Sequence, residues 1–103
     1  LVENAEKIGD LALERMHEMK KRYPSIGDCR GRGLLLGIEL VKSRDTKQPA
    51  NDFAERVMYR CFDAGVSFKT TMGNVLTLTP PLTIDKNEMI KALDIIEQAI
   101  ALG

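Results

Sequence analysis

Apolar positions recur at steps of three or four residues along the first part of the chain. They are Leu1, Ala5, Ile8, Ala12, Met16, Met19 and Tyr23. A stripe with this period is typical of an amphipathic helix, and we predict one from Leu1 to Arg22. Pro24 disfavours helical backbone at the residue before it, so the helix should end there.

The next apolar segments have the period of a β-strand. A turn is followed by a short predicted strand around Asp28-Cys29-Arg30, and then by the most apolar strand of the chain, Leu34 to Val41. This second strand is apolar on both faces, which is typical of a central strand covered on both sides. Glu39 is a carboxylate within it, and we expect Arg30 or Arg32 on the neighbouring strand to pair with it.

The third region is predicted to be a polar loop, a helix and a hairpin. Lys42 to Gln48 form the loop, Pro49 suits the first turn of the helix, and Gly65 suits the position just after its end. Val66 to Thr70 should pair with Val75 to Thr79 as an antiparallel hairpin.

The stretch from Gly73 to Leu82 joins this hairpin to the last helix. Leu76 and Leu78 should face the core, while Thr77 and Thr79 face the other way. Two prolines then end the sheet ladder. Asp85, with Glu88 three residues later, is predicted to cap the last helix.

These elements predict an α+β fold in a single domain over residues 1–103. A small, mainly antiparallel sheet of about four strands is combined with three helices in the order α-β-β-α-β-β-α. The 103 residues are 44% hydrophobic and 29% charged, which suits one globular domain. The chain starts without Met, directly in a helical pattern, so we expect a fragment of a longer protein or a processed product.

Charge and cysteine content narrow the class of function. Fifteen basic and fifteen acidic residues give a net charge of zero, so neither nucleic acid nor a membrane is an expected partner. No apolar run approaches the ~18 residues of a membrane-spanning helix. Cys29 and Cys61 fit no zinc or redox spacing, so we expect free, buried thiols in the reducing cytoplasm, with a disulfide as the alternative.

No candidate motif for dinucleotide binding, metal binding or nucleophilic catalysis has the residue spacing that it requires. The glycines at 31, 33 and 37 miss the dinucleotide-binding pattern by one residue, and the stretch from Arg30 to Gly33 precedes a strand rather than a helix. His17 has no second histidine four residues later, where Lys21 stands. The acidic residues lack metal-loop spacing, and no serine lies in a nucleophile elbow. We therefore predict no catalytic, cofactor-binding or metal-binding residue in this chain.

Two segments nevertheless resemble a known family. Ile26-Gly27-Asp28-Cys29-Arg30-Gly31-Arg32-Gly33-Leu34-Leu35-Leu36-Gly37-Ile38-Glu39-Leu40 is similar to the opening of the small domain of class III, or ω-type, aminotransferases. Asn74-Val75-Leu76-Thr77-Leu78-Thr79-Pro80-Pro81-Leu82-Thr83-Ile84 resembles their closing strand, and the helix from Asp85 resembles their last helix.

The resemblance implies the C-terminal small domain of a fold type I enzyme that uses pyridoxal 5′-phosphate. Such an enzyme would transfer an amino group from an amine or amino acid to a 2-oxo acid, usually as a homodimer. Its Schiff-base lysine and phosphate-binding residues would lie in its own large domain, upstream of Leu1. The fragment alone is then expected to be inactive.

Thr77 departs from the family pattern. Many members have an arginine at this position that can hold a substrate carboxylate as a bidentate pair, which threonine cannot do. Thr77 is therefore a candidate substrate-binding residue, with the alternative that it is a strand-favouring residue on a solvated face. The alternative for the whole chain is a free-standing α+β interaction or regulatory module without catalysis.

Overall fold

The computed structural model describes all residues 1–103 and confirms the predicted α+β fold and element order. The helices are α1 (Val2–Arg22), α2 (Asn51–Asp63) and α3 (Lys86–Ala101). The strands are β1 (Ile26–Arg32), β2 (Leu35–Leu40), β3 (Lys69–Thr71) and β4 (Val75–Leu78). No helix combines the length and the apolar character needed to cross a membrane.

The four strands form one antiparallel sheet in the order β1-β2-β4-β3. It consists of two hairpins, β1–β2 and β3–β4, joined where β2 pairs with β4. Leu36, Ile38 and Leu76 are at most 1% exposed on the face that packs against the helices. Because side chains alternate along each strand, the residues between them point to the opposite face. We call this opposite side the open face. It carries Arg30, Leu35, Gly37, Glu39, Thr77 and Lys69.

The open face corrects one expectation about β2. The strand is central in the sheet, as predicted, but the helices pack against one side of it only. Of the strand residues on the other side, only Val75, the partner of Glu39, is buried, at 7% exposed. Leu35, which points to the open face, is 59% exposed, and Gly37 and Glu39 are half-buried. An apolar strand with one uncovered side presents a surface that another part of a protein can cover.

The helix ends follow the sequence, with one exception. Asp85 accepts a hydrogen bond from the Glu88 amide at 2.8 Å, and the Glu88 side chain accepts one from the Asp85 amide at 3.1 Å. This is the predicted capping box. Gly65 follows α2 with a φ of +96°. Pro49, however, lies outside α2 because it forms an isolated β-bridge with Val41, and the helix starts at Asn51.

The β3–β4 hairpin is shorter than its apolar pattern suggested. Only three residues of β3 pair with β4, with Lys69 opposite Thr77 and Thr71 opposite Val75. The preceding residues, 66 to 68, lie outside the ladder, although Val66 and Phe68 pack against the core. Burial of their side chains produces a strand-like sequence pattern without strand hydrogen bonds.

Gly9 sets the distance between α1 and the sheet. A Cβ atom at this position would lie 2.0 Å from the carbonyl oxygen of Gly33, in the turn between β1 and β2. Real Cβ atoms do not approach backbone oxygen so closely. The helix can therefore pass over this turn only because residue 9 has no side chain.

Glu97 connects α3 to the second half of α1. Its Oε1 atom accepts hydrogen bonds from the guanidinium groups of Arg15 and Arg22, and its Oε2 atom accepts one from the Tyr23 hydroxyl at 3.0 Å. Burial, the largest single effect, raises the pKa of Glu97, but the hydrogen bonds from Arg15 and Tyr23 and the charges of Arg22 and Arg15 together lower it below its ordinary value. The ionised carboxylate thus stabilises the packing of the two helices.

Candidate functional site on the open face

One row of residues crosses the open face from edge to edge. Arg30 in β1 pairs with Gly37 in β2, Gly37 pairs with Thr77 in β4, and Thr77 pairs with Lys69 in β3. Neighbouring strands lie ~4.8 Å apart, so the row spans about 14 Å between its two end Cα atoms. Thr77 therefore lies between a residue without a side chain and a cationic residue.

Thr77 is half-buried and its hydroxyl has a partner within the sheet. The Oγ1 atoms of Thr77 and Thr71 lie 2.8 Å apart, a distance typical of a hydrogen bond between hydroxyls. Each hydroxyl has one hydrogen, and the pair uses only one of them for this contact. One hydroxyl hydrogen of the pair consequently remains able to donate to a group outside the chain.

The two acidic residues of the open face are both close to Arg30. Glu39 Oε2 accepts a hydrogen bond from Arg30 Nη2 at 3.1 Å, which confirms the predicted pairing across β1 and β2. Asp28 Oδ2 lies 4.0 Å from Arg30 Nε. Neither Arg32 nor Lys69 has an acidic partner within 4.0 Å. The positive charge near Thr77 is therefore not neutralised by this chain.

A shallow concavity of about 340 Å³ surrounds Thr77 on one side. Its lining residues are Arg30, Gly31, Arg32, Leu35, Leu36, Gly37 and Thr77. A Cβ atom at Gly37 would lie 3.5 Å from Val75 Cγ1, an ordinary contact distance. Packing within this chain therefore does not require glycine at position 37.

The largest concavity, of about 540 Å³, lies elsewhere. It is bounded by the end of α2, the end of β4 and α3, and its lining is mostly apolar. Its only charged residues are Glu88 and Lys91, and Glu88 is already part of the capping box. This concavity has few polar groups that converge on a ligand, so the open face is the better candidate site.

Both cysteines lie in the core and are free. Burial raises the pKa of the Cys29 thiol to about 11, and the same cause raises the pKa of Cys61 to about 11. Thiols with such a high pKa are poor nucleophiles near neutral pH. No group of three or more His, Cys, Asp or Glu residues is arranged to hold a metal ion.

Thr77 can be singled out from the sequence alone, whereas its immediate neighbours in the sheet cannot. Thr71 and Lys69 come close to it only through the register of β3 with β4, and Arg32 through the shared concavity. A period-two pattern shows which residues of one strand share a face. It does not show which residues of different strands are neighbours.

Comparison with known proteins now identifies the family. The family model described as "Aminotransferase class-III" matches residues 1–100. The leucine/methionine racemase of Thermococcus litoralis is 46% identical over 101 residues, which are 98% of this chain and 23% of the racemase. The (R)-1-hydroxy-2-aminoethylphosphonate ammonia-lyase of Vibrio splendidus is 48% identical over 101 residues, which are 98% of this chain and 21% of the lyase.

Solved structures agree with this assignment. A Bacillus anthracis aminotransferase matches with a TM-score of 0.90 and 37% identity, over 98% of this chain and 24% of the aminotransferase. An amine transaminase from an uncultivated Pseudomonas species, solved in its PLP-bound form, matches with a TM-score of 0.88 and 33% identity, over 96% of this chain and 23% of that chain. The chain belongs to the class III aminotransferase family, and it spans about a fifth to a quarter of the length of these relatives.

Family membership implies pyridoxal phosphate, but the residues of this chain do not form a site for it by themselves. None of the eight lysines is buried: Lys20 is half-buried in the last turn of α1, and the others are exposed. A lysine that forms a Schiff base is usually activated in a desolvated pocket. The N-terminus of α3, where a phosphate could bind, is already capped by the Asp85 carboxylate.

Proposed function

We propose that this chain is the C-terminal small domain of a longer pyridoxal-phosphate enzyme that transfers an amino group from an amine or amino acid to a 2-oxo acid. The observation that carries the proposal is the match of residues 1–100 to the class III family together with the high TM-scores to transaminases. Pyridoxal phosphate, when bound, supplies the electron sink for chemistry at the amino-bearing carbon.

The open face is where we place the contact with the enzyme's own large domain. Leu35 is exposed there beside Gly37 and the partly buried Thr77, and no part of this chain covers them. The relatives are about four to five times longer than the segment they share with this chain. The large domain would supply the Schiff-base lysine and the phosphate site, so the chain alone would be inactive.

Thr77 is our candidate for a substrate contact from this domain. Its hydroxyl pair with Thr71 can donate one hydrogen bond, and Lys69 and Arg32 provide positive charge nearby. A threonine hydroxyl is a weaker partner for a carboxylate than an arginine guanidinium. The substrate's acidic group would therefore have to be bound by cationic side chains elsewhere in the enzyme.

We also propose a homodimeric enzyme in a reducing compartment such as the cytoplasm. The compartment is supported by two cysteines that are both free and buried, since structural thiols persist where disulfides are not formed. The dimer follows from the family resemblance. Sedimentation of the longer protein at several concentrations would test it, and a monomer at all concentrations would refute it.

Racemisation is the second candidate reaction. It is favoured by the 46% identity to a racemase, which exceeds the 33–37% identity to the two aminotransferase structures described above. Amino transfer exchanges the amino group of one molecule for the carbonyl oxygen of another. Racemisation instead returns the proton of the same carbon to the opposite face and leaves the amino group in place.

The test uses the longer protein, purified with added pyridoxal phosphate. We expect visible absorbance from the bound cofactor, followed by formation of glutamate from 2-oxoglutarate when L-alanine or L-leucine is the donor. D-amino acid formed without any oxo acid would establish racemisation instead, and ammonia release would establish elimination. A protein that binds no cofactor and forms none of these products would refute the proposal.

A variant pair tests the role of Thr77 in the same assay. Thr77→Val removes the hydroxyl but keeps the side-chain shape, and we expect a higher KM for the donor with normal cofactor absorbance. Thr70→Val is the matched control, because Thr70 lies in the same hairpin and points to the helix-covered face. Equal effects of the two substitutions on KM would show that Thr77 supports the structure of the hairpin and makes no contact with the substrate.

A further inference from the structure

We propose that Arg32 is the residue of this domain that binds the anionic group of the substrate, with the Thr71–Thr77 hydroxyl pair as a second donor. The proposal rests on the proposed function and deepens it, because it names a specificity-determining residue for the same site. The ligand chemistry is an oxyanion, either a carboxylate or a phosphonate, on a molecule that also carries an amine.

Arg32 and Thr77 are close enough to contact the same ligand. Both residues line the same concavity of about 340 Å³. Arg32 pairs with Leu35, two residues along β2 from Gly37, and Gly37 pairs with Thr77. Two residues along a strand and two strands across put their Cα atoms about 12 Å apart. An extended arginine can bridge more than half of that distance, which leaves room for an oxyanion between the two side chains.

Arg30 and Arg32 differ in whether an acidic side chain lies close to their charge. Arg30 is held by Glu39 at 3.1 Å and lies 4.0 Å from Asp28, so its guanidinium already has acidic partners. Arg32 lines the same concavity and has no acidic partner within 4.0 Å. A guanidinium presents a planar set of donors that matches a carboxylate or a phosphonate. Of the two arginines at this site, Arg32 is therefore the one available to an anionic ligand.

The space above Gly37 gives a ligand access to the sheet. A methyl group at position 37 would make only an ordinary contact with Val75, at 3.5 Å. Its absence leaves the backbone next to Thr77 without a covering side chain, so a ligand can approach the sheet there. Lys69, on the far side of Thr77, adds positive charge at longer range.

The experiment uses the longer holoenzyme and measures ligand binding through the change in absorbance of its bound cofactor. Two probe pairs distinguish binding of a carboxylate from binding of a phosphonate. They are L-leucine with 3-methylbutylamine, and 2-aminoethylphosphonate with ethylamine. Each pair differs by the acidic group alone. The variants are Arg32→Gln, which removes the charge, and Arg32→Lys, which keeps the charge without the planar fork.

We expect Arg32→Gln to raise the Kd of at least one anionic probe about tenfold or more, since a hydrogen bond to a charged group contributes on that scale. Arg32→Lys should give a smaller increase, and the Kd of the two simple amines should change less than about twofold. Arg56→Gln is the matched control, because Arg56 is an exposed arginine on α2, in the helical layer.

Several results would overturn the assignment of Arg32. One is an unchanged Kd for both anionic probes in Arg32→Gln, and another is an equal loss for the probes and their amines. A wild-type holoenzyme that binds the amines but neither anionic probe would also overturn it. Failure of the proposed function looks different, because the wild-type protein would then bind no cofactor and give no signal with any probe.

Discussion

Substituting Gly9 by alanine tests how closely α1 approaches the sheet. Alanine is favoured over glycine in a helix by ~1 kcal/mol, so helix propensity alone predicts a more stable protein. The structure predicts the opposite sign, because the new Cβ would lie 2.0 Å from the Gly33 carbonyl oxygen. The oxygen belongs to the backbone of a tight turn, so it cannot move aside as a flexible side chain can.

The magnitude follows from the displacement that the methyl group needs. An ordinary carbon–oxygen contact is more than 1 Å longer than the available 2.0 Å, so α1 or the turn must shift. Overpacking typically costs ~1–3 kcal/mol, and a backbone clash of this size lies at the upper end, at about 3 kcal/mol, compared with the ~1 kcal/mol gained in helix propensity. We therefore expect a net loss of about 2 kcal/mol, equivalent to roughly 10 °C in melting temperature for a domain of this size.

Urea unfolding of the 103-residue chain, followed by far-UV circular dichroism, measures this effect. Gly37→Ala is the matched control, since its Cβ would lie an ordinary 3.5 Å from Val75 Cγ1, and its free energy of unfolding should change by less than about 1 kcal/mol. A Gly9→Ala chain as stable as the wild type, or more stable, would refute the reasoning.

Three further predictions concern a carboxylate, a helix cap and the thiols. The pKa of Glu97 is lowered in the folded chain, so its stabilisation is complete above the ordinary carboxyl pKa near 4.5 and is lost as the pH falls through the lower folded value. Glu97→Gln should therefore lower the free energy of unfolding at neutral pH and make it fall less as the pH is lowered into the acid range. Urea titrations at several pH values measure this, and an equal fall in the variant and the wild type would contradict it. Asp85→Ala should lower the free energy of unfolding by ~1 kcal/mol because the capping box is lost. An equal loss in the control Asp63→Ala would show that the capping box is not the cause. Cys29 and Cys61, with pKa values of about 11, should react with iodoacetamide near neutral pH only after unfolding, as mass spectrometry would show; rapid labelling of the native chain would disprove their burial.

Local signals in the sequence predicted most of the fold. Asp85 with Glu88, and Gly65 after α2, are caps set by residues a few positions apart, and the structure contains both. Pro49 was wrongly predicted in the first turn of α2. A proline suits both the start of a helix and the end of a strand-like segment. Here Pro49 forms a β-bridge with Val41, so it lies before the helix.

Interactions between distant residues could not be predicted in the same way. Glu97 meets Arg15 across 82 positions of sequence, and Gly9 meets Gly33 across two elements. At the candidate site, Thr77 was predictable as an open-face residue from strand alternation alone. Its contact with Thr71 depends on hairpin register, which turn geometry and burial set together.

The strand order has a consequence for how the chain folds. Each hairpin joins strands that are close in sequence, whereas β2 meets β4 through pairs 36 to 42 positions apart, from Glu39↔Val75 (75 − 39) to Leu36↔Leu78 (78 − 36). Isolated hairpins form in ~1–10 μs, but a contact at long sequence separation must first overcome the entropy of closing a large loop. We therefore expect the joining of the two hairpins to be the slow step. Until it occurs, the edge of β2 that pairs with β4 is open to strands from other molecules.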